Sequence, residues 1–309
     1  MLSRTASDLY WMSRYLERAE NLARMLEVSY SLSLMPQAGR GDGHAELAMS
    51  LLAAGTLDDY NARYDALNSE HMLHFFALDE TNPGSIYSCL RAARTNAHAV
   101  RGRITADMWE NINATWLEMR NIASNGLGRY GISHFCEWVK ERSHLFRGAT
   151  SGTIMRNDAY SFIRLGTFIE RADNTLRLLD ARYEMFGEES EEVSDNSARG
   201  YYQWSALLRA LSSFEAFNEI YRNAPNAEQV SEMLLLRADV PRSVAGLHRG
   251  TGPDPRQPAG PQRPASPASG GGVACAPALF GNRRDPRIGP ASMADRPYWP
   301  GAPPGPDRS

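Results

Sequence analysis

The chain has 309 residues, 42% of them hydrophobic, and a formal net charge of −3. That length allows about two domains, and that apolar content supports a real core. No apolar run approaches the roughly 18 residues of a membrane span, which excludes a transmembrane helix. The start, Met1-Leu2-Ser3-Arg4-Thr5, lacks the apolar stretch of a secretory signal, and Cys89, Cys136 and Cys275 are scattered and odd in number, so a reducing cytoplasm is expected.

Leu9, Met12, Leu16, Ala19, Ala23 and Leu26 recur three and four apart, with Tyr15 and Leu22 widening the face. This predicts an amphipathic helix over residues 5–34, stopping before Pro36. Residues 37–43 are glycine-rich and polar and read as a loop. Shorter helices are predicted over 45–54, 57–67 and 69–76. His71 and His74 on the last have no third ligand at a known spacing and are read as structural or solvent-facing. Asn82 is expected to cap, and Pro83 to open, a helix with Ile86, Leu90, Ala93, Ala97, Val100 and Ile104 on its apolar side. Arg91, Arg94, His98 and Arg101 form a basic stripe on another side, spaced either to face an acidic stripe or to lie in water. Thr105 can cap a helix over 106–124, with Met108, Trp109, Ile112, Trp116 and Leu117 as core and Gly126 and Gly128 beyond its end. Further helices are predicted over 133–146, 153–186, 201–211 and 214–221, with an acidic loop at 188–196. No period-2 strand occurs, so the fold class is all-α.

The stretch Tyr15-Leu16-Glu17-Arg18-Ala19-Glu20-Asn21, followed by Arg24, returns 153 positions later as Phe168-Ile169-Glu170-Arg171-Ala172-Asp173-Asn174, followed by Arg177. Asn68-Ser69-Glu70 and Pro83-Gly84-Ser85 return at an offset of 158 as Asn226-Ala227-Glu228 and Pro241-Arg242-Ser243. Such self-similarity points to a duplication: a helical bundle of two tandem pseudo-repeats, copy one over about 1–150 and copy two over about 151–245. On each long helix Glu17, Glu20, Asn21 and Arg24, or Glu170, Asp173, Asn174 and Arg177, fall on one stripe opposite the apolar face. Three readings fit that stripe. It is a solvated face laced by Glu20–Arg24 and Asp173–Arg177 pairs worth about 0.2–0.5 kcal/mol each, or a shared polar site where two helices meet, with Arg94 and Arg101 as further cations. In the third, Arg18 and Arg171 pair with carboxylates of the opposite copy. Polar identities persist between copies while apolar ones drift (Leu16 against Ile169, Met25 against Leu178), which favours a site over a solvated face.

Copy two breaks off. After Val244-Ala245 a counterpart of the helix pair at 86–124 is expected and not found. Residues 246–309 hold 14 of the 18 prolines and 11 of the 25 glycines, a density that forbids helix and reads as a disordered Pro/Gly/Arg-rich tail. Lys140 is the only lysine among 33 basic residues, a pattern of GC-rich coding DNA. A shifted reading frame is therefore the favoured origin of the tail, and a proline-rich docking segment the other. Copy one's helix pair offers nine large apolar residues; at about 2 kcal/mol each, losing their equivalents forfeits on the order of 15 kcal/mol, close to a domain's whole stability. Exposed apolar surface and poor solubility are expected. Residues 1–245 carry 25 basic and 32 acidic residues and the tail eight and four, and an acidic folded part argues against nucleic acid as the main partner.

Taken together, residues 2–26 with Glu17-Arg18-Ala19-Glu20-Asn21, the Asp79 to Arg101 stretch with Asn82-Pro83-x-Ser85-Ile86 and Ala93-Arg94-x-Asn96-Ala97, Trp109 and Asn113, and Arg164-Leu165-Gly166 leading into Ile169-Glu170-Arg171-Ala172-Asp173 resemble the bacterial alpha-E domain family over about residues 1–245. The tail departs from the family pattern, which continues as helix. The resemblance implies an all-helical protein whose gene neighbours those of a circularly permuted ATP-grasp protein and a transglutaminase-like protein, in a system that forms or modifies peptide or amide bonds. A non-catalytic accessory or scaffold role is the expectation. The residues themselves offer no glycine-rich phosphate loop with a lysine and no Gly-x-Ser-x-Gly elbow. The alternative is an enzyme or ligand-binding protein using Glu17, Glu20, Glu170 and Asp173 as acid–base groups or cation ligands. Di-iron bundles need Glu-x-x-His; here the matching motifs are Glu-x-x-Glu and Glu-x-x-Asp. No metal, cofactor or catalytic residue is assigned. The candidate polar site is Glu17, Arg18, Glu20, Asn21, Arg24, Glu170, Arg171, Asp173, Asn174 and Arg177, with Arg94 and Arg101.

Overall fold

A computed structural model describes residues 1–33, 42–129, 131–188 and 198–251. The expected tail from residue 252 on, residues 37–41 of the first loop and most of the acidic loop at 188–196 lie outside the described residues. Among the described residues there are twelve α-helices and no strand: α1 (Ser3–Ser33), α2 (Asp42–Ala54), α3 (Leu57–Asn61), α4 (Ser69–Ala77), α5 (Ile86–Ala99), α6 (Ala106–Asn125), α7 (Ile132–Thr153), α8 (Asp158–Glu188), α9 (Ala198–Ala210), α10 (Phe214–Tyr221), α11 (Ala227–Leu236) and α12 (Val244–Thr251). The fold is all-α.

α1 and α8, 31 residues each, form the centre. The apolar positions that define α1 in the sequence are all buried, but so are Glu17, Glu20 and Asn21. A helix whose polar stripe is as dry as its apolar one must be covered on both sides. α1 packs on α8, α5 and α7, with α2, α4 and α9 at its flanks. α8 comes very near α1 at Gly166: a Cβ there would fall well inside contact distance of Ser13 Oγ and the Tyr10 carbonyl. Glycine is required at that point by space, not by backbone conformation.

Residues 158 apart in the sequence take the same local geometry at two places. Asn68 and Asn226 cap α4 and α11, accepting from the backbone N–H of His71 at 2.8 Å and of Gln229 at 2.9 Å. Ser85 and Ser243 stand before α5 and α12 and accept from Ser88 N at 3.1 Å and Gly246 N at 2.9 Å. Each serine also donates to a backbone carbonyl six residues earlier, that of Asp79 or Arg237. Gly55 and Ser212, 157 apart, both take left-handed φ, 67° and 50°, just beyond the ends of α2 and α9. α5 packs on α1 as α12 packs on α8.

Several boundaries differ from expectation. Asn82 does not cap α5. Its amide donates to the Phe75 carbonyl and its oxygen accepts from Gly84 N, so it ties the turn that lets Ser85 cap the helix. α5 ends at Ala99, before Ile104. α3 spans five residues rather than eleven. α7 runs to Thr153, well past 146, and α8 starts at Asp158; between them Ile154 is extended and Asn157 Oδ1 accepts from Ala159 N. Leu117, expected in the core, is 54% exposed. The tail was expected from residue 246, yet residues 246–251 belong to α12, which Ser243 nucleates: a good cap outweighs glycines at 246 and 250.

Candidate functional site: a buried arginine–carboxylate network

The polar stripes of α1 and α8 face each other. Arg18 donates from Nε to Glu170 Oε1 at 2.6 Å and from Nη2 to Oε2 at 3.1 Å. Arg171 donates in the same way to Glu17, at 2.6 and 3.1 Å. The two forks are reciprocal: exchange 17 with 170 and 18 with 171, and the same contacts return. Each is a bidentate guanidinium–carboxylate pair, the geometry that gives such bonds both strength and register. A solvated face is therefore overturned for Glu17, Glu20 and Glu170, which are 2%, 0% and 4% exposed.

Other elements complete the network. From α1, Arg14 bonds Glu170 Oε2 at 2.6 Å and Tyr10 Oη at 3.1 Å. From α7, Arg147 bonds Glu20 Oε2 closely and reaches Glu17 Oε2 at 3.1 Å, while Ser143 Oγ donates to Glu20 Oε2 at 2.7 Å. Arg24 reaches Glu20 Oε1 at 2.9 Å. From the turn before α12, Arg242 donates to Glu20 Oε1 at 3.0 Å and Asn21 Oδ1 at 2.9 Å, and lies 3.6 Å from Glu17 Oε1. Its own carbonyl accepts from Thr175 on α8, which fixes the turn.

The electrostatics follow from this packing. Burial alone would raise the pKa of Glu20, but the hydrogen bond and charge of Arg147, then Arg242 and Ser143, hold it well below the usual carboxylate range. Burial opposes the charge on Arg18 and Arg147, yet Glu170 and Glu20 respectively raise both above the ordinary arginine value. Arg242 goes the other way: burial lowers it, and Arg171 and Arg24 add repulsion that Glu17 and Glu20 do not offset. His144, at the rim, lies 3.3 Å from Arg24 Nη2 and is lowered by burial and by Arg147. Four guanidinium groups thus surround two carboxylates, and Asn21 Nδ2 has no hydrogen-bond partner.

Not every expected residue joins. Arg94 and Arg101 do not face Glu17 or Glu20; both stack on Trp109 of α6, at 5.8 and 5.2 Å from the ring centre, and Arg94 also donates to Asn113. The indole and amide sit on the neighbouring helix. Asp173 pairs with Arg177 at 3.0 Å but is 36% exposed, and Arg177 is half-exposed. Asn174 Nδ2 is without a partner. Five members, Arg14, Ser143, His144, Arg147 and Arg242, were not singled out from the sequence. The legible signal was spacing: Lys140 and Arg147 stand seven apart, as do Glu20 and Glu27, and Lys140 bonds Glu27 at 2.8 Å. Among the described residues no group of three His, Cys, Asp or Glu side chains could hold a metal ion, and no helix is long and apolar enough to cross a membrane. His71 stacks on Tyr64, whose hydroxyl meets His74 Nδ1 at 3.0 Å.

Residues 1–250 match a family described as a predicted alpha-helical domain with a conserved ER motif. The curated proteins similar to this chain include uncharacterized protein Mb2597 of Mycobacterium bovis and uncharacterized proteins MT2643 and Rv2567 of Mycobacterium tuberculosis. Each is 31% identical over 117 residues, which is 34% of this chain and 13% of the relative's own length. No solved structure matches the chain.

Proposed function

This chain belongs to the Alpha-E family, and from that premise we propose that it is a non-catalytic accessory or scaffold protein of a peptide- or amide-bond-forming system, acting with a circularly permuted ATP-grasp protein and a transglutaminase-like protein. One observation carries the reading. Glu17, Glu20 and Glu170, the carboxylates best placed for acid–base work, are each bound by at least two arginines of the same chain. A general base must be poised near the working pH and reach a substrate proton; Glu20 is held far from that condition. The Glu-Arg pairs at 17–18 and 170–171 serve as an internal lock between two halves, which we take to be duplicated copies. Affinity purification of the tagged full chain from its native host tests the proposal. Recovery of the ATP-grasp or transglutaminase-like protein is expected, and their repeated absence would remove it.

A second reading, ligand binding at the same network, is favoured by the surplus of guanidinium groups around Glu17 and Glu20 and by the unbonded Asn21 amide. The ligand class is a small carboxylate or phosphate anion. An anion at the rim would offset Arg24 and Arg147 and raise the pKa of His144. An NMR titration of His144 in inorganic phosphate and in glutamate checks this; an unchanged pKa in both ends the reading.

A further inference from the structure

α7 covers α1 in a specific way. It lies antiparallel, with Lys140 on Glu27 and with Ser143 and Arg147 on Glu20. Leu16 and Ala23, on the same stripe of α1 as Glu20 and Glu27, are 5% and 0% exposed. Moved by the 153-residue offset, those four positions of α1 become Asp180, Asp173, Ile169 and Leu176 of α8. The acids are kept, the apolar residues are kept, and the cover is gone: Ile169 is 37% and Leu176 46% exposed, and Asp180 is exposed. Asp173, Leu176, Arg177, Leu179 and Asp180 line an open groove of about 460 Å³.

We propose that this face of α8 is a docking groove for an amphipathic helix of another protein, lying antiparallel to α8 and carrying two basic residues seven positions apart on its contact face. The occupant's chemistry comes from α7. Basic residues at that spacing meet Asp180 and Asp173 two helical turns apart, while the apolar residues between them cover Leu176 and Ile169. Charge sets the register, because a helix laid down with its cations out of step leaves Asp180 unmatched beside exposed apolar surface, and the antiparallel direction is taken from α7 on α1. The inference stands on this geometry and does not depend on the partners proposed above.

The probe is a fluorescein-labelled peptide with the sequence of residues 132–153, carrying Cys136→Ser, titrated against the full chain by anisotropy. Saturable binding is expected, weakened at least tenfold by the double substitution Asp173→Lys and Asp180→Lys. A peptide with Lys140→Glu and Arg147→Glu should bind that variant better than it binds the wild-type chain. Circular dichroism of the variant checks that its helices are intact; these aspartates are exposed or half-exposed, so folding should survive. Absence of saturable binding, or binding indifferent to both charge reversals, overturns the proposal. Sedimentation supplies another arm: a dimer of the chain alone that the aspartate reversals dissociate would place a second copy in the groove and overturn the separate partner.

Discussion

Glu20 and Asp173 hold the same place on two helices of equal length, each four residues ahead of an arginine it pairs with. Glu20 is fully buried and is bound from α1, α7 and the turn before α12. Asp173 is 36% exposed and bound at 3.0 Å by Arg177 alone, with Arg14 at 3.8 Å. The helix that carries an acid does not decide whether it is a surface pair or part of a lock; the third helix does. Where α7 excludes water the Coulombic terms are felt at short range in a low dielectric, and where no such helix lies the same pair is screened.

The sharpest way to break that comparison is to delete both acids in turn. Glu20→Ala leaves Arg24, Arg147 and Arg242 facing a buried gap, and a loss of about 3–5 kcal/mol is expected. Asp173→Ala should cost no more than about 0.5 kcal/mol. Urea midpoints of the full chain measure both, and equal losses would show that the two sites are not different in kind. A second contrast uses one substitution at two glycines. Gly166→Ala forces a methyl into the α1–α8 crossing and should cost about 1–3 kcal/mol. Gly148→Ala, in α7 with nothing within 4 Å of the new methyl, should gain about 0.5–1 kcal/mol from helix propensity.

Acid sharpens the comparison further. The folded-state pKa of Glu20 lies below the ordinary 4.5, so its contribution is complete above that pH and is lost as pH falls below it toward the folded value. The stability gap between wild type and Glu20→Gln should therefore be full at neutral pH and narrow steadily under about pH 4.5; denaturant titrations across that range measure it. The smallest effect concerns Gly55 and Ser212, which share left-handed backbone at matching helix ends. Ser212→Gly should stabilise by about 0.5–1 kcal/mol, read as a rise in urea midpoint, because only the serine carries a Cβ strained there.

Much of this was legible beforehand, for physical reasons. The 3.6-residue rhythm of Leu9 to Leu26 placed α1 within two residues at each described end, and the returning Glu-Arg-Ala stretch marked the stripe where α8 meets it. What the rhythm could not carry was which distant cation each acid takes. Arg147 and Arg242 lie 127 and 222 residues from Glu20, and nothing local distinguishes them from arginines in water. Arg94 and Arg101 had the right spacing and a different neighbour, the Trp109 ring of the next helix. The α12 start was missed because glycine and proline counts were averaged over a tail whose first turn is fixed by Ser243.

The crossing of the two long helices also sets a schedule. The bond from Arg171 to Glu17 spans 154 residues of chain. At translation rates of roughly 5–20 residues per second, the first helix emerges on the order of ten to thirty seconds before its mate exists. Through that interval Glu17 lacks its fork from Arg171 and the side of the first helix that meets α8 has no lasting cover. Assembly of the domain is thus timed by the arrival of residues 158–188 at the ribosome exit rather than by how fast any single helix winds, and synonymous codons that slow the ribosome between the two would lengthen the nascent chain's exposure to chaperones and proteases.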